Sequence, residues 1–168
     1  FEESGVLFAE NAGPDALAEA ARMLRTGLGF ATMLAHLSLR LSTTSVLPWS
    51  RWITPVVPMV SNKRFDTRFF VAAVPHNQVA QHDNHEATES LWVSPRAALT
   101  QYWNGTISLA PPQIMSLAHL SHFASAAEVL VAARQTPPPV IAPEPFLQDG
   151  LRVVCYPGDE RHSARDRA

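Results

Sequence analysis

The sequence predicts an α/β fold of the α+β kind, with helices packed on a mostly non-local sheet. Three observations carry that expectation. Phe30, Met33, Leu34, Leu37 and Leu41 recur at i, i+3, i+4, i+7 and i+11, the apolar stripe of a helix. By contrast, Val46–Thr54 and Arg64–Val74 are dense in aromatic and branched side chains and flank a Pro-marked turn, the texture of two paired strands. Finally, 168 residues at 46% hydrophobic content suffice for one domain with a real core.

The elements follow in order. Phe1–Val6 reads as the end of a helix, with Gly5 suited to the left-handed residue that stops it. After a loop through Asn11–Gly13, a helix is expected from Pro14 to about Thr26. Pro14 fits its first turn, Asp15 complements the dipole and Gly27 supplies the stop. The Phe30–Leu41 stripe and the two strands come next. Pro75–His85 is polar and reads as a mobile loop, and Ser90–Val93 as a short strand. Ser94 and Pro95 open a helix that Gly105 ends, and Pro111-Pro112 open another. Ser125 with Glu128 three residues on is a capping-box signal for a last helix to about Arg134. Pro137–Pro139 is a stiff spacer, and Val140–Phe146 and Leu151–Tyr156 flank a Gln148-Asp149-Gly150 turn as a terminal hairpin. The charged tail after Gly158 is expected to fray.

Composition excludes several classes. A net charge of −2 gives no electrostatic reason to expect nucleic acid or an anionic membrane as a partner. No apolar run is long enough to cross a bilayer. One cysteine, Cys155, rules out an internal disulfide framework and a cysteine-rich zinc site, and it reads as a small core residue of a strand.

Glu2 and Glu3 stand side by side in Phe1-Glu2-Glu3-Ser4-Gly5-Val6. Adjacent carboxylates at a helix end are usually no more than solvated surface. Their company alters that reading. Trp49-Ser50-Arg51-Trp52-Ile53-Thr54-Pro55 is followed by Lys63-Arg64-Phe65-Asp66-Thr67-Arg68-Phe69-Phe70, and then by Glu86 ahead of Trp92-Val93-Ser94-Pro95. Leu109-Ala110-Pro111-Pro112 and the closing Asp149-Gly150 and Pro157-Gly158-Asp159 come after. In this order and combination the chain resembles the Nudix hydrolases, in particular the subgroup that holds the peroxisomal coenzyme A diphosphatases of animals and their bacterial relatives. The opening residues match the end of the Nudix signature, R-E-U-x-E-E-x-G-U with U aliphatic, from its x onward. The chain thus starts inside the signature, and the Arg-Glu-aliphatic triplet would lie just upstream of Phe1.

The resemblance implies a Nudix-type α/β/α sandwich with a mixed sheet, its N-terminal part missing. Residues 1–160 are then the C-terminal part of a single Nudix domain, with a terminal hairpin over 140–156 and a disordered tail over 161–168. It further implies hydrolysis of the diphosphate bond of a nucleoside diphosphate derivative, coenzyme A or acyl-CoA in the subgroup, with Mg²⁺ or Mn²⁺ as cofactor. Glu2 and Glu3 are carried over as metal ligands, and Glu3 also as catalytic. An upstream carboxylate three residues before Glu2 would share their helical face, and hard oxygen donors so placed suit these cations. Glu86 is carried over as the extra acidic residue from a loop beside the metals, ligand or general base, with Glu89 as the competing candidate. Arg64 is the candidate phosphate contact; the other reading is an Asp–Arg cluster of Arg64, Asp66 and Arg68 pinning the strand.

Other readings stay open. A nucleotide sugar or dinucleotide could replace coenzyme A as substrate, or the module could bind a nucleotide or protein without catalysis. The run His82, Asp83, His85 and Glu86 has spacing that can bind zinc, although such loops are more often solvated. Trp49, Trp52, Phe65, Phe69 and Phe70 read as core or pocket wall, and His119 and His122 as surface or partly buried helix residues. A homodimer is an analogy with other Nudix proteins. A bacterial cytoplasm fits the composition, whereas the animal relatives are peroxisomal. These residues alone, without the upstream carboxylate, are expected to bind metal weakly and turn over nothing.

Overall fold

A computed structural model of the chain describes residues 1, 3–55, 63–84 and 88–165. They form two compact units, Phe1–Val46 with Ala72–Leu109, and Leu47–Val71 with Ala110–Ala168. Among the described residues no helix is long and apolar enough to cross a membrane.

The first unit is built on a pair of helices, α1 (Pro14–Arg25) and α2 (Phe30–His36). Ala20, Met23 and Met33 are buried where they meet, with Leu24, Leu28 and Leu34 packed around them. Gly27 ends α1 at φ +85°. Its N–H donates to Leu24 O and that of Leu28 to Met23 O, the paired closing bonds of a Schellman motif.

The expected stripe to Leu41 is too long. Ser38 takes the left-handed position at φ +52°, and the N–H groups of Ser38 and Leu39 return to Ala35 O and Leu34 O. The same motif therefore closes α2 early without a glycine, which leaves Leu41 exposed on a two-residue strand. That strand, β2 (Arg40–Leu41), pairs antiparallel with β1 (Ala9–Glu10). The third helix, α3 (Pro95–Trp103), starts as expected, with Ser94 Oγ accepting from Ala97 N–H at 3.3 Å. The strand expected at Ser90–Val93 is absent: its branched and aromatic residues pair with no ladder, and Leu91 and Trp92 are exposed.

The second unit carries a mixed three-stranded sheet. β3 (Leu47–Ile53) and β4 (Asp66–Val71) pair antiparallel, with an irregularity between Pro48 and Ser50, while β5 (Val140–Ile141) runs parallel to β3. Two helices follow β4 in this unit, α4 (Pro111–Leu120) and α5 (Ala126–Gln135). At the start of α5, Ser125 Oγ accepts from Glu128 N–H and Glu128 Oε2 accepts from Ala124 N–H, so the capping expectation holds one residue wider than a strict box.

The expected Val140–Phe146 strand is divided at Ala142-Pro143, where proline has no N–H to extend a ladder. Its first part joins β3 as β5; its second is β6 (Glu144–Gln148), which forms the terminal hairpin with β7 (Leu151–Cys155). Asp149 and Gly150 both have positive φ, +52° and +78°, as a two-residue type I′ turn demands. Residues 159–164 do not fray. His162 is 5% exposed, its Nε2 lies 2.8 Å from Ala142 O, and its Nδ1 accepts from Ala164 N–H, while Ser163 bonds to the Glu144 carboxylate. Helices beside a mixed sheet make this the α/β fold expected.

Candidate functional site

The carboxylate-bearing end of the signature lies in the first unit. Gly5 N–H donates to Phe1 O at 2.8 Å, the closing bond of a helical turn, and Gly5 has φ +66°. A methyl group there would stand 3.6–3.8 Å from the Val79 and Gln81 main chain, ordinary contact. The left-handed backbone, rather than crowding, is what asks for glycine. Glu3 is exposed on this turn, and its carboxylate makes no hydrogen bond or ion pair among the described residues. An uncommitted, solvated hard-oxygen donor suits Mg²⁺ or Mn²⁺. Glu2 lies outside the described residues.

Against this turn lies the polar segment expected to be mobile. It is tied down instead. Gln81 N–H donates to Ser4 O at 2.9 Å. Leu7 N–H donates to Gln78 Oε1, and Gln78 Nε2 donates back to Leu7 O, both at 2.8 Å. Asn77 Nδ2 donates to Ala12 O at 3.1 Å. Further on, Ser90 Oγ accepts from His82 N–H at 3.1 Å and lies 2.7 Å from His82 Nδ1.

Phe1, Gly5, Arg25, Gln81, His82 and Asp83 line a cavity of about 560 Å³.

The other expected site residues divide sharply. Glu86 and His85 lie outside the described residues. Glu89 is exposed. Among the described residues no three His, Cys, Asp or Glu side chains are grouped to hold a metal. The zinc reading of the His82–Glu86 run gains nothing here, since His82 turns Nδ1 to Ser90.

Arg64 belongs to the second unit, where Nε and Nη2 donate to Thr54 O at 3.4 and 3.3 Å. Asp66 is held not by its strand neighbours but across the sheet, where Arg51 Nε and Nη2 donate to it at 2.7 and 2.6 Å. That bidentate bond, with the charges of Arg51 and Arg68, lowers the Asp66 pKa. The strand-pinning reading thus describes Asp66, with Arg51 as the partner.

The aromatic residues divide likewise. Trp49 is buried and stacks on His119 at 4.5 Å between ring centroids, with Phe123 edge-on at 5.9 Å. Burial, and then the His122 charge, lower the His119 pKa. Trp52 and Phe65 wall an apolar cavity of about 450 Å³ in the second unit, together with Pro111, Pro143 and Tyr156.

The residues missed from sequence were Asn77 and Gln78. Only their chemistry could have flagged them: a carboxamide both donates and accepts, so it can satisfy a whole peptide unit.

The family model described as the NUDT19 Nudix domain matches residues 1–120. A Xenopus laevis protein named acyl-coenzyme A diphosphatase NUDT19 is 39% identical over 120 residues, 67% of this chain and 30% of that protein. The Homo sapiens protein of the same name is 30% identical over 100 residues, 60% of this chain and 26% of its own length. A Caenorhabditis elegans protein named putative nudix hydrolase 7 is 27% identical over 168 residues, 95% of this chain and 54% of its own. The chain thus spans between about a quarter and a half of the length of these relatives. No solved structure matches it significantly. With the signature end, the ordered downstream motifs and the family match in agreement, the chain belongs to the NUDT19 Nudix domain family.

Proposed function

We propose that the protein carrying this chain hydrolyses the diphosphate bond of coenzyme A or acyl-CoA, releasing 3′,5′-ADP and the corresponding phosphopantetheine. The observation that carries the reading is the turn at Glu3–Gly5: a signature end closed by a left-handed glycine, with an exposed carboxylate that has no partner among the described residues. The names of the Xenopus and human relatives support the choice of substrate.

Glu2 and Glu3 would hold Mg²⁺ or Mn²⁺. Such a cation, when bound, neutralises the diphosphate and lowers the barrier to attack of water on phosphorus. Glu86 would take the proton from that water, and Glu89 stands next in line should Glu86 prove silent. Arg64 would contact a substrate phosphate with the guanidinium hydrogens that Thr54 O does not use.

The test is hydrolysis by the complete protein of coenzyme A, acyl-CoA, a nucleotide sugar and a dinucleotide, with the products identified. Release of 3′,5′-ADP, lost on adding chelator, is the expected result. Preference for a nucleotide sugar or dinucleotide would move the substrate, and nucleotide binding without turnover would make this a binding module. Residues 1–168 alone should turn over nothing, because they lack the upstream carboxylate that would share the helical face of Glu2 and Glu3. Chelator-sensitive hydrolysis by this segment would contradict that expectation.

A further inference from the structure

We propose that the cavity of about 450 Å³ in the second unit binds the acyl chain of an acyl-CoA; this rests on the reading of acyl-CoA as substrate. Its volume falls within the roughly 300–1,000 Å³ of small-molecule sites. Trp52 and Ile53 of β3, Val154 of β7, Phe65 and Tyr156 give it walls of carbon. Trp52 is 5% exposed and Tyr156 lies edge-on to it at 6.0 Å between ring centroids, so packing holds this side in place. Pro55, Pro111, Pro112 and Pro143 add to the lining. Proline has no N–H, so these four positions offer a ligand no backbone donor.

That chemistry discriminates among the parts of the substrate. A phosphate is held by arginine, by main-chain N–H groups or by a helix N-terminus. The start of α4 borders this cavity, but its first two residues are prolines, and the Ala110 N–H before them donates to Gln113 Oε1 at 2.7 Å. Lys63 is the only charged side chain on the described lining. An adenine ring would bury nitrogens that need hydrogen-bond partners. The uncharged polar side chains here are the hydroxyls of Thr54, Thr67 and Tyr156, and Thr54 Oγ1 already accepts from Phe65 N–H. An alkyl chain asks for no partner and is stabilised by leaving water. In acyl-CoA the pantetheine arm separates the diphosphate from the thioester, so a site for the chain need not adjoin the metal ligands.

The experiment measures dissociation constants by calorimetry for coenzyme A and for its butanoyl, octanoyl and dodecanoyl thioesters. It uses the complete protein with chelator present, so that binding is read without turnover. Affinity should rise roughly two- to fourfold per added methylene until the cavity is full. Thr67 is exposed on β4, where an aromatic side chain suits a strand, and Thr67→Phe should flatten that rise by taking up the space. Should Thr67→Phe fail to fold, Val154→Phe is read by the same slope. Equal affinity for coenzyme A and its dodecanoyl thioester would overturn the proposal, as would a slope that neither variant changes. Dodecanoate binding as tightly as the thioester would assign the cavity to free fatty acids and overturn it too. If the complete protein cleaves coenzyme A and acyl-CoA yet shows no slope, only this inference falls. If it cleaves neither, the substrate reading falls and the inference with it.

Discussion

The two units reach order by different means. In the second, β3 lies between two other strands, and Trp49 and Trp52 are buried on it with His119, Phe123 and Tyr156 against their rings. Its stability comes from apolar area and ladder hydrogen bonds, which are redundant and add up. The carboxylate-bearing end of the first unit buries less: Val6 and Leu7 are buried and Phe1 packs against the Ala20–Met23–Met33 cluster, but Glu3 and Ser4 stay exposed. Residues 3–7 and 77–82 meet through a few directed bonds, each from one side chain or one peptide, plus one glycine in the left-handed region. Non-directional packing tolerates small shifts, whereas a directed bond is either made or lost. Directed bonds of this kind fix the chain next to Glu3 while leaving its carboxylate exposed, as the proposed metal-ligand role requires.

The largest expected effect tests the packed half of this contrast. Trp52→Ala removes a nearly buried indole from the middle of the mixed sheet and should destabilise by about 3–5 kcal/mol, read as a shift in denaturant midpoint. A loss below about 1 kcal/mol would mean that Trp52 is pocket wall and not core. Next comes the site. Glu3→Gln in the complete protein should lower kcat at least ~100-fold, beyond what loss of an outer-shell partner does, with little change in unfolding. Equal rates in wild type and variant would end the assignment of Glu3. Third, Gly5→Ala should destabilise by about 1 kcal/mol because alanine resists φ +66°. Its measurable signature is faster exchange at Gln81 N–H, whose acceptor is Ser4 O.

The smallest effects are electrostatic and belong to the second unit. The Asp66 pKa is lowered by its bond to Arg51, so its contribution is present above the ordinary aspartate pKa of about 4 and is lost as pH falls through the lowered value. Asp66→Asn should flatten only that acid limb. His119 gives a slope of the same sign at higher pH, because its pKa is lowered too. Because burial lowers its pKa, the unfolded chain binds the proton first, and stability should decline as pH drops below about 6.5 until the lowered pKa is passed. His119→Gln should remove that slope, as measured by melting between neutral and mildly acidic pH; an unchanged slope would assign it to another group.

Much of the architecture was legible because it is local. Pro14, Ser94, Pro95, Pro111 and Ser125 mark helix starts through caps and fixed φ, and Asp149-Gly150 marks a turn by the sign of φ it needs. The early end of α2 was not legible, because Ser38 closes it in a conformation that serine seldom adopts. Neither was the split of the 140–146 strand. Alternation indicates a strand without naming its partner, and Val140 and Ile141 pair with β3 whereas Glu144–Gln148 pair with β7.

For the candidate site, the sequence by itself determined the carboxylates, their order and, through the ordered motifs, the family, since spacing along one helix face is a property of the chain. Tertiary structure decided which segment meets the Ser4–Leu7 main chain beside them. The Gln78–Leu7 pair, the Gln81–Ser4 bond and the exchange of Asp66 from its own strand to Arg51 join residues far apart in sequence. No periodicity records such contacts, because a single carboxamide or guanidinium meets its partner only after the chain has folded.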